Sequence, residues 1–258
     1  PIDNICQDEA RKRQDQLTKP RGSLGRLEEL SIQLAGIYGN CMPTVKKKVI
    51  FTMAGDHGVS AEGVSAYPSE VTAQMVMNFA NGGAAISVIA RHVGAEVRIV
   101  DMGVASPIYW PPCVLNKKIA MGTRNMVKEK AMSRDEAKLA LARGAELAIE
   151  ASEEGANLIG IGDMGIGNTT SASAITAIAT GNEVREVVGR GTGLNDACLE
   201  KKIEIISKTI RLHRPDSEDP IGILESVGGF EIAGMAGVIL GAASKKVPVV
   251  LDGFISGS

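Results

Sequence analysis

The sequence predicts an α/β fold, a doubly wound and mainly parallel sheet preceded by a small helical domain. Three observations carry that expectation. Short apolar runs that end in Gly or Asp alternate with longer helical stretches, the order of strand, loop and crossover helix. The runs are apolar at nearly every position rather than at alternate ones, as in strands covered on both faces. Glycine supplies 30 of 258 residues, against a usual share of about 7%, and much of it gathers where those runs end. In such places backbone must turn sharply or approach a ligand.

Residues 1–44 form the expected helical part. "DEARKRQDQL" is followed by a break at "TKPRGS" and then by "LGRLEELSIQLAGIYGN", in which Leu24, Leu27, Leu30, Ile32, Leu34 and Ile37 recur near helical spacing before Gly39-Asn40 stops the helix. Residues 45–258 form the expected α/β large domain, which carries the active site. Its strand runs are 49–54, 97–100, 158–161 and 247–251. Between them, "SEVTAQMVMNFANGGAAISVIARHVG", "SRDEAKLALARGAELAIEASEEG", "TTSASAITAIATG" and "GGFEIAGMAGVILGAASKK" read as crossover helices. Ser133 with Glu136, three residues on and ahead of an apolar run, is a capping box that fixes one helix start.

Composition narrows the function. With 28 Lys+Arg against 30 Asp+Glu, the net charge of −2 offers no bulk attraction to nucleic acid or to an anionic membrane, so a small-molecule partner is favoured. Cys6, Cys41, Cys113 and Cys198 are widely separated and make no C-x-x-C, so no metal site is expected and a reducing cytoplasm fits. The N-terminus lacks the apolar core of a signal peptide, and no apolar run reaches about 18 residues.

In an open α/β sheet the chemistry belongs at the carboxyl ends of strands. Asp56 and His57, between two glycines at the first such end, are candidate ligand-facing groups, with a turn cap and a surface histidine as the plainer alternative. Tyr67, just before the next helix entry, and Met75, about two turns later, could face one pocket, although core filling suits Met75 better when it is taken alone. Asp101 ends another strand, where it could accept ribose hydroxyls or cap a buried turn.

"LIGIGDMGIGNTTSASA" contains a literal G-x-G-x-x-G in Gly160, Gly162 and Gly165. A dinucleotide fingerprint packs its third glycine inside the opening helix. Here Ile166, Gly167 and Asn168 intervene before Thr169, and Asp163 occupies the segment that would cradle a pyrophosphate, where a like charge repels. The stretch suits a single phosphate on the backbone N–H groups of a helix entrance formed by Asn168, Thr169 and Thr170. A second turn, "VVGRGTGLNDACLEKK", offers Gly189, Gly191, Thr192 and Gly193 with Lys202 nearby, and two glycine turns and a lysine converging on one anion make a stronger signal than either turn alone.

Taken in order, "KPRGSLGRLEEL", "AGDHGVSAEGVSAYPSEVTAQMV", "GDMGIGNTTSASA", "GRGTGL", "VGGFEIAGMAGVILGAA" and "DGFIS" resemble the nicotinate-nucleotide:dimethylbenzimidazole phosphoribosyltransferase family, from about Lys19 to the last residue. The resemblance implies a Rossmann-like sheet with a small helical domain, a homodimer, no cofactor, and transfer of phosphoribose from nicotinate mononucleotide to a lower-ligand base of cobalamin. By position it carries over Gly165, Gly191 and Lys202 as phosphate contacts and Tyr67 and Met75 as walls of the base pocket, beside Asp56 and His57. Gly167, Asn168, Thr169, Thr192, Gly193 and Asp101 complete the expected phosphate and ribose surroundings. The pyridinium of the donor leaves without acid or metal, whereas the attacking azole needs a carboxylate to take its proton.

Two departures accompany the resemblance. Asp163 stands where the family frequently has Glu, one methylene longer. The family's principal general-base Glu lies in a "GEGTGA"-like segment some way after "DGFIS", and so beyond Ser258. Asp163 is therefore the carboxylate expected to act here, with weak donor binding and slow transfer expected of the 258 residues alone. A non-catalytic nucleotide-binding protein and, more remotely, an NAD-dependent oxidoreductase are the competing expectations.

Overall fold

A computed structural model describes residues 2–191, 193 and 195–258. In chain order the elements are α1 (Asn4–Gln16), α2 (Arg26–Tyr38), β1 (Lys48–Gly55), a 3₁₀ turn (Gly58–Glu62), α3 (Glu70–Ala80), α4 (Ala85–Val93), β2 (Ala95–Gly103), β3 (Val114–Asn116), α5 (Arg134–Glu153), β4 (Leu158–Met164), α6 (Asn168–Thr180), α7 (Val184–Val187), α8 (Asp196–His213), α9 (Pro220–Val227), α10 (Phe230–Ser244), β5 (Val249–Leu251) and α11 (Phe254–Gly257). The five strands run in the order β3-β2-β1-β4-β5, and every neighbouring pair is parallel. The chain winds outward from β1 in both directions, so the crevice between the carboxyl ends of β1 and β4 is the switch point of the sheet.

Each face of the sheet has its own core. Val49, Phe51 and Met53 of β1 join Val100, Met102, Ile159 and Ile161 beneath α10, whereas Ala54 and Ile99 pack with Ala73, Val76 and Phe79 of α3. This is the period-two alternation of a strand with apolar residues on both sides. On the first face α10 lies against α5 backbone to backbone at several glycines. A Cβ built on Gly144 would fall 1.9 Å from the Gly234 carbonyl oxygen, and one on Gly237 would fall 2.0 Å from that of Leu141. Part of the glycine excess thus serves helix–helix contact rather than loops.

The N-terminal hairpin is capped where the sequence turns. Asp3 accepts the Cys6 N–H at 3.0 Å to start α1, and Gly39 ends α2 in the left-handed region at φ 62°. Asn157 joins the hairpin to the sheet: its Oδ1 accepts Lys46 N–H at 3.0 Å and Lys47 N–H at 3.1 Å, and its Nδ2 donates to the Thr44 carbonyl at 2.6 Å. The Tyr38 hydroxyl donates to its backbone oxygen.

The four expected strands are present, with β1, β2 and β4 longer than the apolar runs and β5 shorter. The three-residue β3 follows Pro111-Pro112 and is too short for any periodicity to announce it. The long stretch before β2 is two helices, divided at Gly82, whose φ of 72° no continuing helix permits. The capping box of α5 is formed, with Ser133 Oγ accepting Glu136 N–H at 3.1 Å and the Glu136 carboxylate accepting Ser133 N–H at 2.6 Å.

Candidate functional site

The loop after β4 is held from three sides. A Cβ on Gly165 would meet the Gly55 carbonyl oxygen at 2.2 Å, so β1 and the loop touch backbone to backbone. Thr72 of α3 accepts the Ile166 N–H at 3.0 Å, and the Gly165 carbonyl accepts the Asn168 N–H at 3.0 Å. Gly167 then starts α6 at φ 96°, and no side chain caps that end. The positive end of the α6 dipole consequently faces the turn that precedes α8.

Lys202, on α8, comes to the same place. Its side chain is 0% exposed, and Nζ donates to Thr169 Oγ1 at 2.8 Å and to the Gly189 carbonyl at 3.5 Å. Among the described residues no carboxylate pairs with it, and burial lowers its pKa to about 8. A Cβ on Gly191, whose φ is 54°, would stand 3.0 Å from Thr169 Oγ1 and 3.5 Å from Lys202 Nζ. Thr169, Gly189 and Gly191 line a cavity of about 560 Å³ with Thr176, Glu186 and Phe254. The convergence of two glycine turns and a lysine is therefore seen in the structure, Gly193 lies farther along the second turn, and Thr192 lies outside the described residues.

Asp163 and Met75 line a larger cavity of about 610 Å³, together with Thr52, Phe79, Gly162 and Asp252. Asn168 donates to Asp163 Oδ2 at 2.7 Å. Burial, then the charges of Glu231 and Asp252, raise the Asp163 pKa to about 7 against the opposing pull of Asn168 and His57. A carboxylate balanced near neutrality can hold or release a proton at physiological pH.

Four expected contacts are placed differently. His57 is buried and turns inward: Nε2 meets Glu231 Oε1 at 2.5 Å and Nδ1 meets Ser171 Oγ at 3.0 Å, so it forms no wall of these cavities. Asp101 is fully buried, with its oxygens taken by Val104 N–H at 2.8 Å, the Trp110 indole at 2.6 Å and Lys118 Nζ at 3.2 Å, which is the turn-cap role rather than the ribose one. Tyr67 is 56% exposed and borders neither large cavity. Asp56 faces a separate cavity of about 330 Å³ beside Ser69, Glu70 and Gln74, with Oδ2 accepting Ala105 N–H at 2.8 Å and burial raising its pKa.

Ser258, which marked the point beyond which the family's general-base Glu is expected, is not itself a site residue. Its N–H donates to the Phe254 carbonyl at 3.1 Å and its Oγ to the Ile255 carbonyl at 2.7 Å, and it borders none of the three cavities. The carboxylates gathered around the Asp163 loop are Asp163, Glu231 and Asp252.

Glu231 was not singled out from the sequence. It sits in the first turn of α10, 0% exposed, where Cβ atoms on Gly55 and Gly229 would approach its Oε2 to 2.6 Å and 2.8 Å, and one on Gly165 its Oε1 to 3.3 Å. The available signal was a lone charge in the otherwise apolar, small-residue helix "FEIAGMAGVILGAAS". Ser171 Oγ also donates to the Gly228 carbonyl at 3.3 Å. Burial pulls the His57 pKa down, but the charge and hydrogen bond of Glu231 outweigh it and leave the pKa raised.

The family model described as Phosphoribosyltransferase matches residues 1–258. The chain is 55% identical over 258 residues to the nicotinate-nucleotide–dimethylbenzimidazole phosphoribosyltransferase of Roseiflexus sp. (strain RS-1), covering 100% of this chain and 73% of that protein. It is 53% identical over 256 residues to the protein of the same name from Geobacter metallireducens, covering 99% and 72%. The crystal structure of CobT from Thermus thermophilus superposes with a TM-score of 0.92 at 43% identity, over 98% of this chain and 75% of that one. The chain thus spans about three quarters of the length of these relatives.

Proposed function

The chain belongs to the nicotinate-nucleotide–dimethylbenzimidazole phosphoribosyltransferase family, and on that premise we propose how its residues divide the reaction. The chain is a pentosyltransferase of cobalamin assembly, moving phosphoribose from nicotinate mononucleotide to a benzimidazole base; the family likeness favours neither hydride transfer nor a non-catalytic role. The donor phosphate binds between the start of α6 and the second glycine turn, where Thr169, Gly191 and Lys202 meet. The observation that carries this assignment is the buried lysine without a carboxylate partner among the described residues, a cation that a bound anion would complete.

The base lies in the larger cavity against Met75, where Asp163 takes the azole proton as the new bond forms at the anomeric carbon. Nicotinate departs as a neutral ring nitrogen and needs no acid. The protein works as a homodimer in the cytoplasm, with residues 1–44 forming part of a small helical domain. No helix among the described residues is long and apolar enough to cross a membrane.

The test is Lys202→Ala. A phosphate far from the breaking bond contributes equally to ground and transition states, so KM for nicotinate mononucleotide should rise roughly 10- to 100-fold while kcat stays within about threefold. An unchanged KM would remove Lys202 from the phosphate. Sedimentation of the purified protein tests the dimer.

A further inference from the structure

His57 and Glu231 are 174 residues apart in sequence, yet they form a pair whose side chains are both 0% exposed. The pair joins four parts of the site. His57 belongs to the loop after β1, Ser171 to α6, Gly228 to the turn before α10, and Glu231 to α10 itself. Gly55, Gly165 and Gly229 all crowd the Glu231 carboxylate so closely that a Cβ at any of them would contact it. Gly165 is two residues beyond Asp163 and three before Asn168, which donates to Asp163. A buried ion pair contributes little net stability, since apolar groups of equal volume serve as well or better. Three side-chain-free positions around one carboxylate, whose Oε2 has no hydrogen-bond partner among the described residues, are more than a structural plug requires.

We propose that His57 and Glu231 are positioning residues of the transferase: they hold the loop of Asp163 in register with the start of α6, and the Glu231 carboxylate acts on Asp163 across the Gly165 backbone. The proposal rests on Asp163 as the proton acceptor of the reaction. The charged and polar groups that face Asp163 are Glu231 from α10, His57 from the β1 loop, Asn168 from α6 and Asp252 from the end of β5. Of the charged groups, Glu231 acts most strongly, and it opposes ionisation of Asp163, whereas His57 favours it. Replacing Glu231 by Gln removes that opposition and also lets His57 lose its proton, and the larger of the two effects is the first.

The experiment follows the Asp163 carboxyl by ¹³C NMR titration in the 258-residue protein and in Glu231→Gln, beside the pH profile of kcat. The Asp163 midpoint should fall from about 7 by roughly one pH unit or more, and the acid limb of the kcat profile should move with it. A midpoint that stays in place in a folded Glu231→Gln protein overturns the proposal. A midpoint that moves while the acid limb stays supports the positioning pair and removes Asp163 as proton acceptor, so the two failures are distinct. Should Glu231→Gln not fold, Asp163→Asn tests the other arm of the pair, the coupling of Asp163 to His57. The His57 midpoint should then fall, since Asp163 contributes to raising it, and an unmoved imidazole would overturn the coupling.

Discussion

The two glycine turns that meet near Thr169 and Lys202 are specified by opposite means. The loop 160–167 is specified by packing: Gly165 abuts the Gly55 carbonyl, Gly167 abuts His57, and Thr72 holds the N–H between them. The turn 189–193 is specified by backbone conformation. Among the described residues nothing stands within 4 Å of a Cβ on Gly189 or Gly193, yet Gly191 and Gly193 have φ of 54° and 92°. One turn has no room for a side chain, and the other has room at its ends but uses dihedral angles that side chains disfavour. Packing and conformation are therefore separable requirements for a glycine in a turn, and substitutions can tell them apart.

The largest effect is expected at Gly165→Ala. Its methyl would sit 2.2 Å from a backbone oxygen, and relief requires β1 and β4 to part at the switch point. Overpacking of this kind costs about 3 kcal/mol or more, and kcat/KM should fall with the denaturation midpoint. A stable Gly165→Ala protein would show that the loop is less constrained than the contact implies. Next is Asp163→Asn, which keeps the bond partner Asn168 but removes the carboxylate proposed to accept the proton. A loss in kcat of about 10² to 10⁴-fold is expected with folding intact, and a loss under threefold would move the acceptor elsewhere.

A smaller effect belongs to pH. In the proposed phosphate site the ammonium of Lys202, with its pKa lowered to about 8 by burial, would attract phosphate when protonated and lose that attraction as pH rises through the value. KM for the donor should thus climb between about pH 8 and 10 in the parent and stay level over that range in Lys202→Ala. The smallest effects separate the ends of the second turn. Gly193→Ala should cost about 1 kcal/mol for its left-handed backbone, and Gly189→Ala within about 0.5 kcal/mol. Equal costs at the two positions, measured by denaturation, would break the distinction between room and conformation.

Much of this architecture is legible in the residues because local order and burial agree there. Runs 49–54, 97–100 and 158–161 are apolar because both faces of the sheet are covered, and the α5 start is written in Ser133 and Glu136. Thr169 also stands out, since strand ends and helix starts are where an α/β fold places its ligands, whereas Lys202 and Met75 stand out chiefly by family resemblance. Position at a strand end does not reveal the direction of a side chain. Asp101 and His57 share that setting with Asp163, and tertiary contacts turn the first two inward, toward Trp110 and toward Glu231. Glu231 itself has a role because α10 crosses the sheet and brings its first turn to Gly55 and Gly165, an approach that neither periodicity nor spacing records.

The seam between α5 and α10 has a consequence for heredity. Every single-nucleotide change that turns a glycine codon into that of another amino acid adds at least a Cβ, and at Gly144 and Gly237 that first carbon already lands about 2 Å from a backbone oxygen of the facing helix. Neither position has a one-step neighbour that leaves the helices at their present distance. Compensation would need both helices to move apart together, dragging Glu231 away from His57. Lineages of this protein should therefore accumulate change on the α3 and α4 face of the sheet, where side chains already separate the layers, and stand still along the seam.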